Sequence, residues 1–231
     1  MSRIIKIASL ACLVLVSCAE KKIVIRNDPA LNEQLIEAVK EKDFRTVGKL
    51  IKKGADPNGA GAGGKNSGFH IALYVNDTKI IRYLLDSGAD IAKPDQNNYA
   101  PLSLAARANN VEILNVLIEK GADVNHVNNN SIRSTAIMDA AEANAVDAMK
   151  ALMAKGADID VLDKWNAPAL TIAADKNNYE AVELLVEAGA ELNVIDSGLG
   201  YTALDFAVKN KNDRMISLLE SKGAFANKLK K

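Results

Sequence analysis

Gly54-Ala55, Gly88-Ala89, Gly121-Ala122, Gly156-Ala157, Gly189-Ala190 and Gly223-Ala224 punctuate this chain at intervals of 34, 33, 35, 33 and 34 residues. A fixed period in this range marks stacked supersecondary units, each too small to bury its own hydrophobic face. The core of such a protein grows by stacking. The 231 residues are therefore expected to form one elongated solenoid, not the one or two globular domains that length alone suggests. A stack without insertions offers grooves and few deep pockets, which points to protein binding and away from catalysis.

Each unit repeats one internal pattern. A first helix carries a large apolar residue and an alanine three positions on: Leu35/Ala38, Phe69/Ala72, Leu102/Ala105, Ile137/Ala140, Leu170/Ala173 and Leu204/Ala207. A side chain larger than alanine would overpack a close helix contact, which explains why the small residue recurs. Asn76, Asn109, Asn144 and Asn177 then mark turns, since asparagine tolerates the left-handed conformation that ends a helix. A second helix ends in a bulky pair: Leu50-Ile51, Leu84-Leu85, Leu117-Ile118, Leu152-Met153 and Leu185-Val186. The sixth unit has Leu219-Glu220, and the first has Thr46 and Lys49 where later units are apolar. Those polar substitutions predict the two capping ends of the stack. Asp28-Pro29 predicts the start of the first helix, with Asp as cap and Pro at the first helical position.

The units resemble ankyrin repeats. The Thr-Pro-Leu-His-x-Ala signature of that family appears as Ser67-Gly68-Phe69-His70-Ile71-Ala72 and Ala100-Pro101-Leu102-Ser103-Leu104-Ala105. It recurs as Thr135-Ala136-Ile137-Met138-Asp139-Ala140, Pro168-Ala169-Leu170-Thr171-Ile172-Ala173 and Thr202-Ala203-Leu204-Asp205-Phe206-Ala207. The resemblance covers residues 30 to 226. It implies an all-α solenoid of about six helix-turn-helix units with projecting β-hairpin fingers, and it implies protein binding. It also implies that His70 hydrogen-bonds neighbouring backbone.

The first residues read differently. Arg3 and Lys6 precede an apolar run from Ile7 to Val16, too short to span a bilayer as a helix, so it reads as an export signal. Leu15-Val16-Ser17-Cys18 resembles a bacterial lipobox, which implies cleavage before Cys18 and acylation of that cysteine; the alternative is ordinary signal cleavage near Ala19, leaving a free soluble protein. The expected organisation is a cleaved lipoprotein signal over 1–17, a lipidated tether over 18–29 and the repeat domain over 30–231. Cys12 leaves with the signal and Cys18 carries lipid, so the mature chain has no free thiol and no disulfide. Several acyl chains on one cysteine anchor durably, and the tether reaches about 35–40 Å when fully extended. Ala19 lacks the aspartate that, in similar lipoproteins, accompanies inner-membrane retention, so the expected address is the outer membrane facing the periplasm. Lys and Arg balance Asp and Glu at 29 each, and no basic face suggests nucleic acid.

Little in the chain is suited to chemistry. The two histidines, His70 and His126, have no cysteine or carboxylate partner at metal-site spacing, and no nucleophile–base pair is evident. Gly59 to Lys65 is glycine-rich, but Asn66 stands where a phosphate loop needs Ser or Thr, so a small-residue finger is expected. No cofactor, no metal and no enzymatic activity is expected. Aligning the units on the family signature places Tyr74, Tyr99, Arg107, Ile132, Glu142, Trp165, Asp175, Lys176, Leu199, Tyr201 and Lys209 on finger tips and groove-facing helix positions. Trp165, Tyr201, Tyr99, Tyr74 and Leu199 are the candidate anchors for a partner, because exposed aromatic residues bury much area at low entropic cost; the alternative is that the aromatics fold down onto the next finger as local packing. Arg107, Glu142, Asp175 and Lys176 would tune specificity. The expected function is that of an envelope-anchored monomer that binds another protein as scaffold or assembly partner. The alternative is an immunity-type inhibitor of a toxin acting in the periplasm. The lipobox opposes a secreted effector directed at a host cell, because an acylated envelope protein is retained.

Overall fold

The computed structural model describes residues 25, 28–61, 64 and 66–229. The expected export signal, Cys18, most of the expected tether, part of the glycine-rich finger and the last two lysines lie outside the described residues. The rest is a stack of six helix pairs. Unit one is α1 (Pro29–Lys40) and α2 (Phe44–Lys53), and unit two is α3 (Gly68–Val75) and α4 (Thr78–Asp86). Unit three is α5 (Pro101–Arg107) and α6 (Val111–Glu119), and unit four is α7 (Ala136–Glu142) and α8 (Val146–Ala154). Units five and six are α9 (Ala169–Asp175) with α10 (Tyr179–Glu187) and α11 (Ala203–Lys209) with α12 (Asp213–Ser221).

The recurring residues do what their spacing predicts. Asp28 caps α1 by accepting from the Ala30 and Leu31 amides, with Pro29 at the first helical position. The six signature alanines are buried, with their large apolar partners, so first helices pack on first helices at small-residue contacts. Asn76, Asn109, Asn144 and Asn177 all have positive φ, between 52° and 60°. Asparagine is chosen there because it pays little strain in the left-handed region. Leu50, Leu84, Leu117, Leu152, Leu185 and Leu219 are fully or nearly fully buried, while Glu220 at the end of the stack is exposed.

Asparagines set the spacing between units. Asn58 donates to the Gly88 carbonyl at 2.9 Å and accepts from the Asp90 amide at 2.7 Å. Asn125 repeats this on Gly156 and Asp158. His70 acts as the family resemblance implies. Its Nε2 donates to the Lys93 carbonyl at 2.9 Å, and its Nδ1 accepts from the Ser67 amide. Burial holds its pKa below the ordinary histidine value, so the ring is a neutral structural link.

The fingers depart from the expected β-hairpins. Among the described residues no strand forms, and the only bridge joins Ala60 and Ser67. The later finger tips are tight turns with a single backbone bond across the base, such as Asp163 N–H to Ala167 O at 3.2 Å and Asp196 N–H to Tyr201 O at 2.9 Å, and one more within the turn, from Asn166 N–H to Asp163 O and from Gly200 N–H to Asp196 O. The reason is local. Asp95, Asn130, Asp163 and Asp196 accept two amides each within their own turns, replacing the ladder bonds a strand pair would need.

Candidate partner-binding groove

Consecutive finger tips tie to one another along one edge of the stack. Lys164 N–H donates to the Ile132 carbonyl at 2.9 Å, and Ser197 N–H donates to the Trp165 carbonyl at 2.7 Å. The rim of units four to six is thus one continuous wall. Between it and the first helices α7, α9 and α11 lies a groove of about 340 Å³. Its apolar surface comes from Ile132, Met138, Trp165, Ile172, Leu199 and Phe206. Trp165 is 42% exposed and Leu199 49% exposed. Lys164 Nζ stands 5.7 Å from the centre of the indole.

The helix wall carries a chain of ion pairs running across units three to six. Arg107 pairs with Glu142, Lys176 Nζ reaches Glu142 at 3.2 Å, and Lys209 Nζ reaches Asp175 at 3.7 Å. Burial raises the Glu142 pKa, but Arg107 and Lys176 outweigh it and hold the carboxyl below its ordinary value. Half-exposed pairs of this kind contribute little to stability; they fix where charge sits along the groove. Arg107 also lies 5.7 Å from the centre of the Tyr99 ring.

Asp139 is the residue that sequence reading did not select. It is 1% exposed, on α7, and lines the groove. Burial pushes its carboxyl up to about 7, against the opposing pull of the Ser103 and Ser134 hydroxyls and of Arg107. A signal was present in the repeat itself, because Ile71, Leu104, Ile172 and Phe206 occupy the same signature position.

The groove brings together Trp165, Leu199, Glu142, Asp175 and Lys176, together with Ile132. Arg107 borders it through Glu142. The other tyrosines stand apart. Tyr201 is half-buried and packs edge-on against Phe206, with ring centres 5.2 Å apart. Tyr99 is half-buried beside Arg107. Tyr74 is exposed on unit two and donates its hydroxyl hydrogen to Asp95. Among the described residues no cluster of His, Cys, Asp or Glu is placed to hold a metal ion, and no helix is long and apolar enough to cross a membrane.

A family model described as ankyrin repeats in three copies matches residues 35–128 and again residues 137–230. The chain belongs to the ankyrin-repeat family, and its repeats mark a protein–protein interaction module. No curated protein matches the chain.

Proposed function

We propose that this protein is a lipid-anchored scaffold or assembly partner of the bacterial envelope, which binds another protein in the groove of units four to six. The observation that supports this most is Trp165. It is the only tryptophan of the chain, and it stands half-exposed in the wall of a largely apolar groove, where an aromatic anchor has most to gain from a partner. Trp165→Ala should leave the thermal midpoint nearly unchanged while weakening partner binding by about 2 kcal/mol or more, as expected of a hot spot. The check is a crosslinking pull-down from native membranes, run beside the variant. One dominant partner lost in the variant supports the reading, and its identity separates a scaffold from an inhibitor of an incoming toxin. A cooperative loss of stability with intact binding rejects the groove as the site.

Anchoring rests on the tetrapeptide Leu15-Val16-Ser17-Cys18. Cys18→Ser should move the protein from the membrane fraction to the soluble fraction, because the acyl chains are the expected membrane contact. Wild-type protein that is already soluble rejects the anchor. The groove and its partner reading stand or fall separately.

A further inference from the structure

Asp139 breaks the pattern of its own repeat, and the groove gives the break a purpose. Its Oδ2 accepts from Asn128 Nδ2 at 3.1 Å and from Ser134 Oγ at 3.0 Å. Its Oδ1 is buried and accepts no hydrogen bond. The ion pair it makes is with Arg107 Nη1 at 3.6 Å, and that guanidinium is turned to Glu142. A buried acceptor left without a donor is costly, and natural proteins rarely keep one without a use for it.

We propose that the groove receives an arginine side chain of the partner protein, its guanidinium donating to Asp139 Oδ1 and its stem and plane lying against Trp165. The inference rests on the groove being the partner-binding site. Ile132, Ile172, Leu199 and Phe206 offer an apolar wall for the methylenes, the surface along which such stems pack. The charges agree with a cation. Asp139, Glu142, Asp163, Asp175 and Asp196 line the groove against Lys176 alone. The nearby cations Arg107, Lys164 and Lys209 are placed on Glu142, the Trp165 ring and Asp175. With these three counted the site is balanced while Asp139 holds its proton and carries one net negative charge once Asp139 ionises, so ionised Asp139 favours a cationic side chain over an anionic one.

A guanidinium suits this site better than an ammonium. Its plane stacks on an indole, and one of its five donors can meet Asp139 while the others remain for the rim. Burial keeps Asp139 largely protonated below about pH 7. A bound cation favours the ionised carboxyl, so binding should release a proton and strengthen from about pH 6 to about pH 8.

The lone tryptophan makes the test direct, because its fluorescence reports the groove. The full-length protein is titrated with N-acetyl-arginine methylamide and with the citrulline and lysine counterparts. The arginine compound should give a saturable change, with affinity rising with pH in the wild type. The neutral citrulline compound, and the arginine compound on Asp139→Asn, should each bind about tenfold more weakly or worse. No saturable change with arginine overturns the proposal. So does equal binding of citrulline, an unaltered response of Asp139→Asn, or a lysine compound that binds as tightly. If the titration fails while the pull-down still loses its partner in Trp165→Ala, the arginine is rejected and the groove stands. If both fail, the groove itself is rejected.

Discussion

Asp205→Ala is expected to destabilise the protein by about 3 kcal/mol and to release the segment 225–229 from the end of the stack. Asp205 is fully buried on α11 at the signature position that His70 fills in unit two. Its carboxylate accepts the amides of Thr202 at 2.9 Å, Asn227 at 2.8 Å, Lys228 at 3.0 Å and Leu229 at 2.7 Å. The C-terminal segment thus folds back over the last unit, aided by Asn227 Nδ2 on the Gly200 carbonyl at 2.8 Å. Burial acts against ionisation, but those amides outweigh it and hold the carboxyl below its ordinary value. The stabilisation is therefore present above the ordinary carboxylate range and is lost as pH falls through that lowered value. Alanine would strand four donors, of which the terminal ones can turn to water; this keeps the estimate below the sum of four charged hydrogen bonds. Asp205→Asn preserves shape and one acceptor, so it should cost about half as much. Urea unfolding measures the loss, and limited proteolysis reports the freed segment. A loss under about 1 kcal/mol would mean that the capping segment contributes nothing to the stack.

The second large effect is a pH dependence centred on Asp139. Its folded carboxyl sits near 7, while its ordinary value is 3.8. Between those limits the folded state holds more protons than the unfolded one, so the group's contribution falls as pH rises and is at its worst above about pH 7. The whole span corresponds to about 4 kcal/mol, with Arg107 and Glu142 as the charged groups facing the site. His70 works in the opposite direction, because its lowered pKa costs stability as pH falls below the ordinary histidine value. Comparing Asp139→Asn with the wild type cancels that contribution. Unfolding free energies measured from about pH 5 to about pH 8 should show the variant gaining about 2–3 kcal/mol on the wild type across the range. Parallel profiles would show that Asp139 is ionised throughout and that its environment stabilises the charge.

The stack itself was legible because each recurring residue answers a local demand. Asparagine suits a left-handed turn, alanine suits a close helix contact, and a paired aliphatic suits the end of a second helix. The place of Trp165 in a finger was also legible, but whether its ring stands exposed or folds onto the next finger was not, because that depends on what lies beneath it. Tyr201 sits in an equivalent finger yet packs down, since Phe206 lies beneath it; one aromatic over another is a property of the pair, and the finger sequence alone does not carry it. Asp139 is held by Asn128 from the finger, whose amide also reaches Ser103 of the preceding unit, so its burial is a tertiary fact. Asp205 draws its partners from more than twenty residues downstream. The strand pairs expected of the fingers were lost to side-chain oxygens that close the same turns at shorter range. Sequence rules held in the repetitive parts and broke in unit four, where Asp139 stands at a position that is apolar in units two, three, five and six; such breaks are expected at functional sites.

We propose the groove of units four to six, and not the outer helices, as the partner-binding face. A photo-crosslinking amino acid placed at Leu199, in the groove wall, and in parallel at Lys150, exposed on α8, tests it in intact cells. A discrete adduct from position 199 and none from position 150 is the predicted result. An adduct from position 150 alone, or equal adducts from both, would contradict it.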